Sequence, residues 1–272
     1  MIRDSFRKII DIYFVPLWEG LLREFKPMII EKFKNKADVV INQSIPKLIH
    51  LTWKSKDIPD KYYKNYLSIL KTHPDWEIII WTDEEMDSYI KEHGKEYYAF
   101  YKSLPYMIQK CDFFRVFIVY CMGGVYLDLD VTMKKSLNAL LSKTQIFFPC
   151  EKILSDRQLK EYGDRDAIRI GNYAFGSTLK HPFMLYFINK IVETSKVYKP
   201  DKNFGRNIIN TTGPGLLTVC YHDYIKEKLE TNITILYPSV FTLPLCGCGT
   251  YKFVTSCRVG LYGIHHHYAT WW

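Results

Sequence analysis

Two aspartates two residues apart close an apolar run, Val125-Tyr126-Leu127-Asp128-Leu129-Asp130. In an extended chain residues i and i+2 point to one face, so Asp128 and Asp130 project together while Leu127 and Leu129 turn to the core. Neighbouring carboxylates repel unless they are protonated or share a cation. Their hard oxygen atoms suit Mg²⁺ or Mn²⁺, ions that bridge a diphosphate. The plainer alternative is that the pair caps the following turn. Upstream, Asp112 and Arg115 lie three apart in helical text and therefore share a face. They read either as a structural ion pair or as a hydroxyl acceptor beside a phosphate-binding fork.

These side chains need elements that hold them. Residues 45–53 are strand-like, with Pro46 at the entrance and Trp53 at the end, and residues 60–72 read as a helix. A second buried strand spans 76–81, and helical text follows over 84–102. Residues 107–122 form a strongly apolar helix, stopped by Gly123-Gly124, and 125–129 are a third strand. Strands alternating with helices predict an α/β domain with a mostly parallel central sheet flanked by helices. Ligands of such open sheets bind outside the carboxyl ends of the strands, where Asp128 and Asp130 fall. The second half is less periodic. Short strands are expected at 147–149 and 173–175, a helix over 182–196, a turn at 211–215 opening another helix, and a strand-like end at 261–267.

Composition narrows the class. Hydrophobic residues make up 47% of 272, enough to bury a core and exclude a disordered chain. The net charge of +8 suits an anionic ligand or membrane face, but no block of five Lys/Arg argues for nucleic acid. Residues 1–44 divide off as an amphipathic helical arm, leaving 45–272 as one α/β domain. In the arm, Phe6, Ile9, Ile10, Tyr13 and Phe14 recur at helical spacing between Arg3, Arg7 and Lys8. Residues 1–36 read as a helix packed on the domain or as a peripheral contact with an anionic membrane. The apolar run 12–18 is too short to span a bilayer, which takes about 20 residues, and lacks the features of a signal peptide. Cys246, Cys248 and Cys257 cluster without the CxxC spacing of a zinc site. Sequons at Asn42, Asn210 and Asn232 matter only in a secretory lumen, and the compartment stays open between membrane periphery, cytoplasm and Golgi.

A resemblance then enters. Lys110-Cys-Asp112-Phe-Phe-Arg115 followed by Met122-Gly-Gly-Val-Tyr126-Leu-Asp128-Leu-Asp130 resembles the DXD sugar-binding region of glycosyltransferase family 32. Ile45 to Trp53, His73-Pro-Asp75-Trp76 to Trp81-Thr-Asp83, Thr212-Gly-Pro214 and the His-rich, Trp-terminated end resemble its other motifs in order. Related patterns occur in fungal mannosyltransferases, in bacterial capsule enzymes and in the glucosylating domain of large clostridial toxins. The resemblance implies a GT-A fold, a nucleotide-sugar donor, Mn²⁺ or Mg²⁺, and retention of configuration. It implies that Trp53 stacks on the donor base and that Asp112, Arg115 and the Tyr126 of the motif belong to the donor-binding set. Asp128 would touch ribose or sugar, and Asp130 the metal. Asn172 matches a polar position near the transferred sugar, though a turn-capping Asn fits as well. The end, His265-His266-His267-Tyr268-Ala269-Thr270-Trp271-Trp272, resembles a motif whose His supports the metal and whose Trp contacts the leaving diphosphate. Trp271 takes the second role. Strand alternation puts His265 and His267 on one face as metal-supporting residues, with His265 favoured.

The acceptor implied is a glycan or glycolipid, and the donor stays open among UDP-galactose, UDP-glucose and GDP-mannose. Two rival readings remain. Residues 125–132 also fit the D-x-D-x-T signature of haloacid-dehalogenase-like phosphatases, with Asp128 as nucleophile and Asp130 as acid/base. The other is a carbohydrate-binding protein without catalysis.

Overall fold

The computed structural model describes residues 44–141, 144–153, 168–198, 202–228, 233–236 and 262–268. The arm therefore lies outside the described residues, all but Ser44, as do Trp271 and the three clustered cysteines. In chain order the elements are β1 (Leu48–Thr52), α1 (Asp60–Thr72), β2 (Glu77–Trp81), α2 (Asp83–His93), α3 (Lys95–Ser103) and α4 (Met107–Met122). Then come β3 (Gly124–Leu127), β4 (Val131–Met133), α5 (Asn138–Leu141), β5 (Ile146–Ile153), β6 (Ile168–Ile170) and β7 (Ala174–Ser177). The remainder is α6 (Pro182–Val197), α7 (Phe204–Thr211), α8 (Pro214–Lys228), β8 (Ile233–Leu236) and β9 (Gly263–His265).

The central sheet runs β2-β1-β3-β7-β5-β6, with β8 also on β5. Strands β2, β1 and β3 are mutually parallel, as is the β5–β8 pair, while β7 enters antiparallel between β3 and β5. Strand alternation divides two cores across this sheet. Val125, Leu127, Phe147 and Ala174 join α1 and Trp76 in one; Tyr126, Phe148 and Phe175 join α4, α6 and α8 in the other. Burial on both faces explains why β3 has no polar alternation. Among the described residues no helix is long and apolar enough to cross a membrane.

The helical text over 84–102 is two helices, broken at Gly94. A Cβ there would stand 2.7 Å from the Phe117 ring, so only glycine lets the α2–α3 corner sit on α4. Helix α7 was not expected. The strand expected over 125–129 ends at Leu127, and Leu129-Asp130 form a turn.

The α4–β3 junction sets the register of everything after it. Gly123 has φ +67°, and a Cβ on Gly124 would lie 2.6 Å from the Leu48 carbonyl oxygen. Buried His50 fixes the corner: its Nε2 donates to the Gly123 carbonyl (2.9 Å), and its Nδ1 accepts from Trp81 Nε1 (3.1 Å). Burial holds the His50 pKa down at about 4, so the ring is neutral.

Candidate functional site

The site forms where β3 ends. Tyr126 and Asp128, two apart, face α4, and Arg115 of α4 lies over the Tyr126 ring with its guanidinium carbon 4.6 Å from the centroid. Arg115 Nη1 is 3.2 Å from Asp128 Oδ1 and donates to the Asn172 carbonyl at 3.1 Å. Its Nη2 is 3.4 Å from Asp112 Oδ1. Asp112 in turn accepts from Asn172 Nδ2 (3.1 Å) and from Thr212 Oγ1 (2.9 Å), which lies 100 residues away. The Tyr126 hydroxyl donates to Asp128 Oδ1 (2.8 Å) and lies 2.9 Å from Thr52 Oγ1. Sequence reading thus named Asp112, Arg115, Tyr126, Asp128 and Asn172 separately, and the fold joins them in one network. Thr52 and Thr212 complete it; Thr212 was visible as part of a motif but without a partner.

Electrostatics follow from burial. Burial pushes the Asp112 carboxyl up to about 6, against the pull of Arg115 and of its hydrogen bonds. Burial likewise raises Asp128, helped by Asp130 and opposed by Arg115. Burial alone would lower Arg115, but Asp128, Tyr126 and Asp112 around it hold its pKa above the ordinary value.

Asp130 belongs to a second group. The turn closes through Val131 N–H donating to the Asp128 carbonyl (3.0 Å). β4 then pairs antiparallel with β9 and sets Val131 opposite His265, so the chain end is delivered to the turn. His265 Nε2 lies 3.2 Å from Asp130 Oδ1. Tyr268 N–H donates to Asp130 Oδ2 (2.9 Å), and His266 N–H to the Asp130 carbonyl (3.0 Å). Tyr173 stacks on the His265 ring at 3.9 Å and fixes its plane, a role that sequence reading missed. Burial raises the Asp130 carboxyl, but His265, the Tyr268 N–H and His267 outweigh it and bring the group below the usual carboxylate range.

Asp128, Asp130 and His265 offer ligand atoms that all lie within 4.8 Å of one another. Asp130 Oδ1 and His265 Nδ1 are buried and make no hydrogen bond. Buried polar atoms are rarely left so, and two carboxylate oxygens with one imidazole nitrogen are an apt set for Mn²⁺ or Mg²⁺. His267 stands outside this ligand cluster. The strand stops at His265, and His267 has φ +52°, so alternation no longer governs its direction. Its exposed ring remains 3.9 Å from that of His265. His266 is a scaffold residue, with Nε2 2.7 Å from Thr132 Oγ1. Trp53 lies at the end of β1, partly buried, its ring 4.7 Å from Tyr62 at 49°.

The family described as "Glycosyltransferase sugar-binding region containing DXD motif" matches residues 59–147, which hold Asp112, Arg115, Asp128 and Asp130. Inositol phosphoceramide mannosyltransferase 1 of Schizosaccharomyces pombe is 35% identical over 159 residues, covering 57% of this chain and 46% of that protein. Mannosyl phosphorylinositol ceramide synthase CSH1 of Saccharomyces cerevisiae is 34% identical over 185 residues, 67% of this chain and 44% of that protein. The chain thus spans about half the length of the curated relatives it matches. Among solved structures, PaToxG glycosyltransferase is similar at 17% identity and a TM-score of 0.49, over 69% of this chain and 71% of that one. With the matched segment carrying both aspartates of the turn and the Asp-x-x-Arg face behind them, the chain belongs to the glycosyltransferases whose sugar-binding region contains the DXD motif.

Proposed function

We propose that this protein transfers a hexose from a nucleotide-sugar donor to a glycolipid acceptor, on a GT-A type domain spanning 45–272 and with retention of configuration. The observation that carries the reading is the cluster of Asp128, Asp130 and His265, with Asp130 Oδ1 buried and without a hydrogen bond. The mannosyltransferase relatives favour mannose as the sugar, hence GDP-mannose over UDP-galactose and UDP-glucose. They also favour an inositol-phosphate sphingolipid as the acceptor class.

Asp130, His265 and Asp128 would hold the divalent cation, which when bound neutralises charge growing on the leaving diphosphate. Arg115 sits behind Asp128 and is enclosed by Asp112, Asp128 and Asn172. Its part is to orient Asp128 and set the field at the turn. Asn172 and Thr212 hold Asp112 in place, leaving that carboxylate no free direction for attack on a sugar carbon. Front-face displacement, in which the departing diphosphate takes the acceptor proton, requires no protein nucleophile and fits this arrangement. Trp53 stacks on the donor base, and Trp271 reaches the leaving group.

A thermal-shift screen of GDP-mannose, UDP-glucose and UDP-galactose, each with and without Mn²⁺, tests the reading. The true donor raises stability by about 2.7 kcal/mol at 100 times its Kd, and only with the metal present. A shift for none of the three with Mn²⁺ removes the proposal. The anomeric coupling of the product, read by NMR, checks retention.

A further inference from the structure

Helix α1 has two working faces. Its inner face holds the site turn: Asn65 Nδ2 donates to the Leu129 carbonyl (3.0 Å), Thr132 Oγ1 donates to Asn65 Oδ1 (2.7 Å), and Met133 N–H donates to Ser68 Oγ (2.8 Å). Its outer face carries Tyr63, Leu67 and Leu70 at i, i+4 and i+7, which at helical spacing form one stripe. They are 47%, 45% and 38% exposed, among the large apolar side chains of the described residues that are left in solvent. Partly buried Tyr66 adds its ring 6.3 Å from that of Tyr63. Beside this stripe, Lys64 and Lys71 are seven apart, so they form a second row along the same outward side. Both are exposed, and among the described residues neither forms an ion pair. Lys61 follows at the amino end, its Nζ 4.0 Å above the Tyr268 ring next to Asp130. Asp60 is the only acid of the helix.

A tyrosine and leucine stripe edged by lysines is built for the boundary between water and an anionic bilayer. Tyrosine rings and leucines enter the headgroup region, and lysine ammonium groups meet lipid phosphates. A protein partner of acidic character would satisfy the lysines but gives no reason for a linear apolar row only one helix wide. We infer that the outer face of α1 is a membrane-docking surface for anionic lipid. Docking there places the site turn one helix diameter, about 10–12 Å, from the lipid surface. The use of this face in presenting a glycolipid acceptor rests on the proposed transferase activity, whereas lipid binding itself does not.

Co-sedimentation of the full chain with phosphatidylserine–phosphatidylcholine vesicles, against pure phosphatidylcholine vesicles, tests this. The arm is present in every variant, so differences report on α1. Wild type pellets with anionic vesicles and is released at 0.5 M NaCl. Lys64→Glu with Lys71→Glu lowers apparent vesicle affinity about tenfold or more, since each lysine near the surface contributes about 1 kcal/mol. Leu67→Ser with Leu70→Ser lowers it even at low salt. Circular dichroism and the thermal midpoint confirm that both folds persist, and Lys64→Gln with Lys71→Gln is the milder substitute. Equal pelleting of wild type and both double variants overturns the proposal. So does a serine variant that changes oligomeric mass in sedimentation velocity with vesicle binding intact, because the stripe then covers a second copy. Donor hydrolysis in vesicle-free buffer is expected to be unchanged in both variants. Its absence in wild type would sink the transferase reading and leave the lipid surface standing.

Discussion

Two polar groups meet at Asp128 and differ in how complete they are. Behind it, Arg115, Asp112, Asn172, Thr212 and Tyr126 form a buried set in which both Asp112 oxygens are hydrogen-bonded. In front, Asp130 and His265 stand 3.2 Å apart with Asp130 Oδ1 and His265 Nδ1 without hydrogen bonds. A closed network in low dielectric fixes positions. An open one holds capacity that a cation can fill. On the proposed reading the contrast separates residues that aim the site from residues that hold the cation, although the same sequence motif contains both.

The largest effect should come from breaking the closed group. Arg115→Leu leaves buried Asp112 and partly buried Asp128 without a counter-charge, and we expect a loss of about 3–5 kcal/mol in unfolding free energy by urea titration. A loss below 1 kcal/mol would mean that the network contributes little to the fold. Asp130→Asn attacks the open group and should act mainly on activity. Stability in metal-free buffer falls modestly, since His265 and the Tyr268 N–H favour the ionised carboxylate in the fold, while transfer falls by about 2.7–4 kcal/mol of transition-state stabilisation. The Mn²⁺-dependent thermal shift should also vanish; activity of the wild type that is indifferent to EDTA would contradict this.

The corner behind both groups has its own signature. His50 titrates near 6.5 when unfolded and at about 4 when folded. The unfolded chain therefore binds more protons between those values, and stability is fully present above about pH 6.5 and declines as pH falls toward 4. Between pH 7 and pH 5 the loss assigned to His50 is roughly 2 kcal/mol. His50→Phe should flatten that slope, measured by urea midpoints at the two pH values. The smallest effect is expected at the rim: Trp53→Ala should raise donor KM several-fold with little change in kcat, because stacking is equal in ground and transition states. An unchanged KM would leave Trp53 as packing for Tyr62.

Local signals were legible wherever one element carried them. Periodicity gave α1 over 60–72 and α4 over 107–122 with their observed bounds, and the glycine pair gave the stop. The i, i+3 spacing of Asp112 and Arg115 did bring that pair together. Asp128 and Asp130 also meet, and Leu127 and Leu129 are both buried, but the turn after β3 rather than strand alternation places Leu129 and Asp130.

Sequence alone settled the α/β alternation, the residue types gathered at the turn after β3, and the helix faces that carry them. These follow from periods of 2 and 3.6 residues, which any short window contains. The tertiary structure alone decided that β7 enters antiparallel, that Thr212 holds Asp112 across 100 residues, and that the β4–β9 ribbon delivers His265 while His267 turns aside. Each of these depends on contacts between segments far apart in the chain, such as Tyr268 with Asp130 at a separation of 138 residues. No local periodicity encodes such pairings, because they are selected by the joint burial and hydrogen bonding of elements that meet only once the sheet has formed.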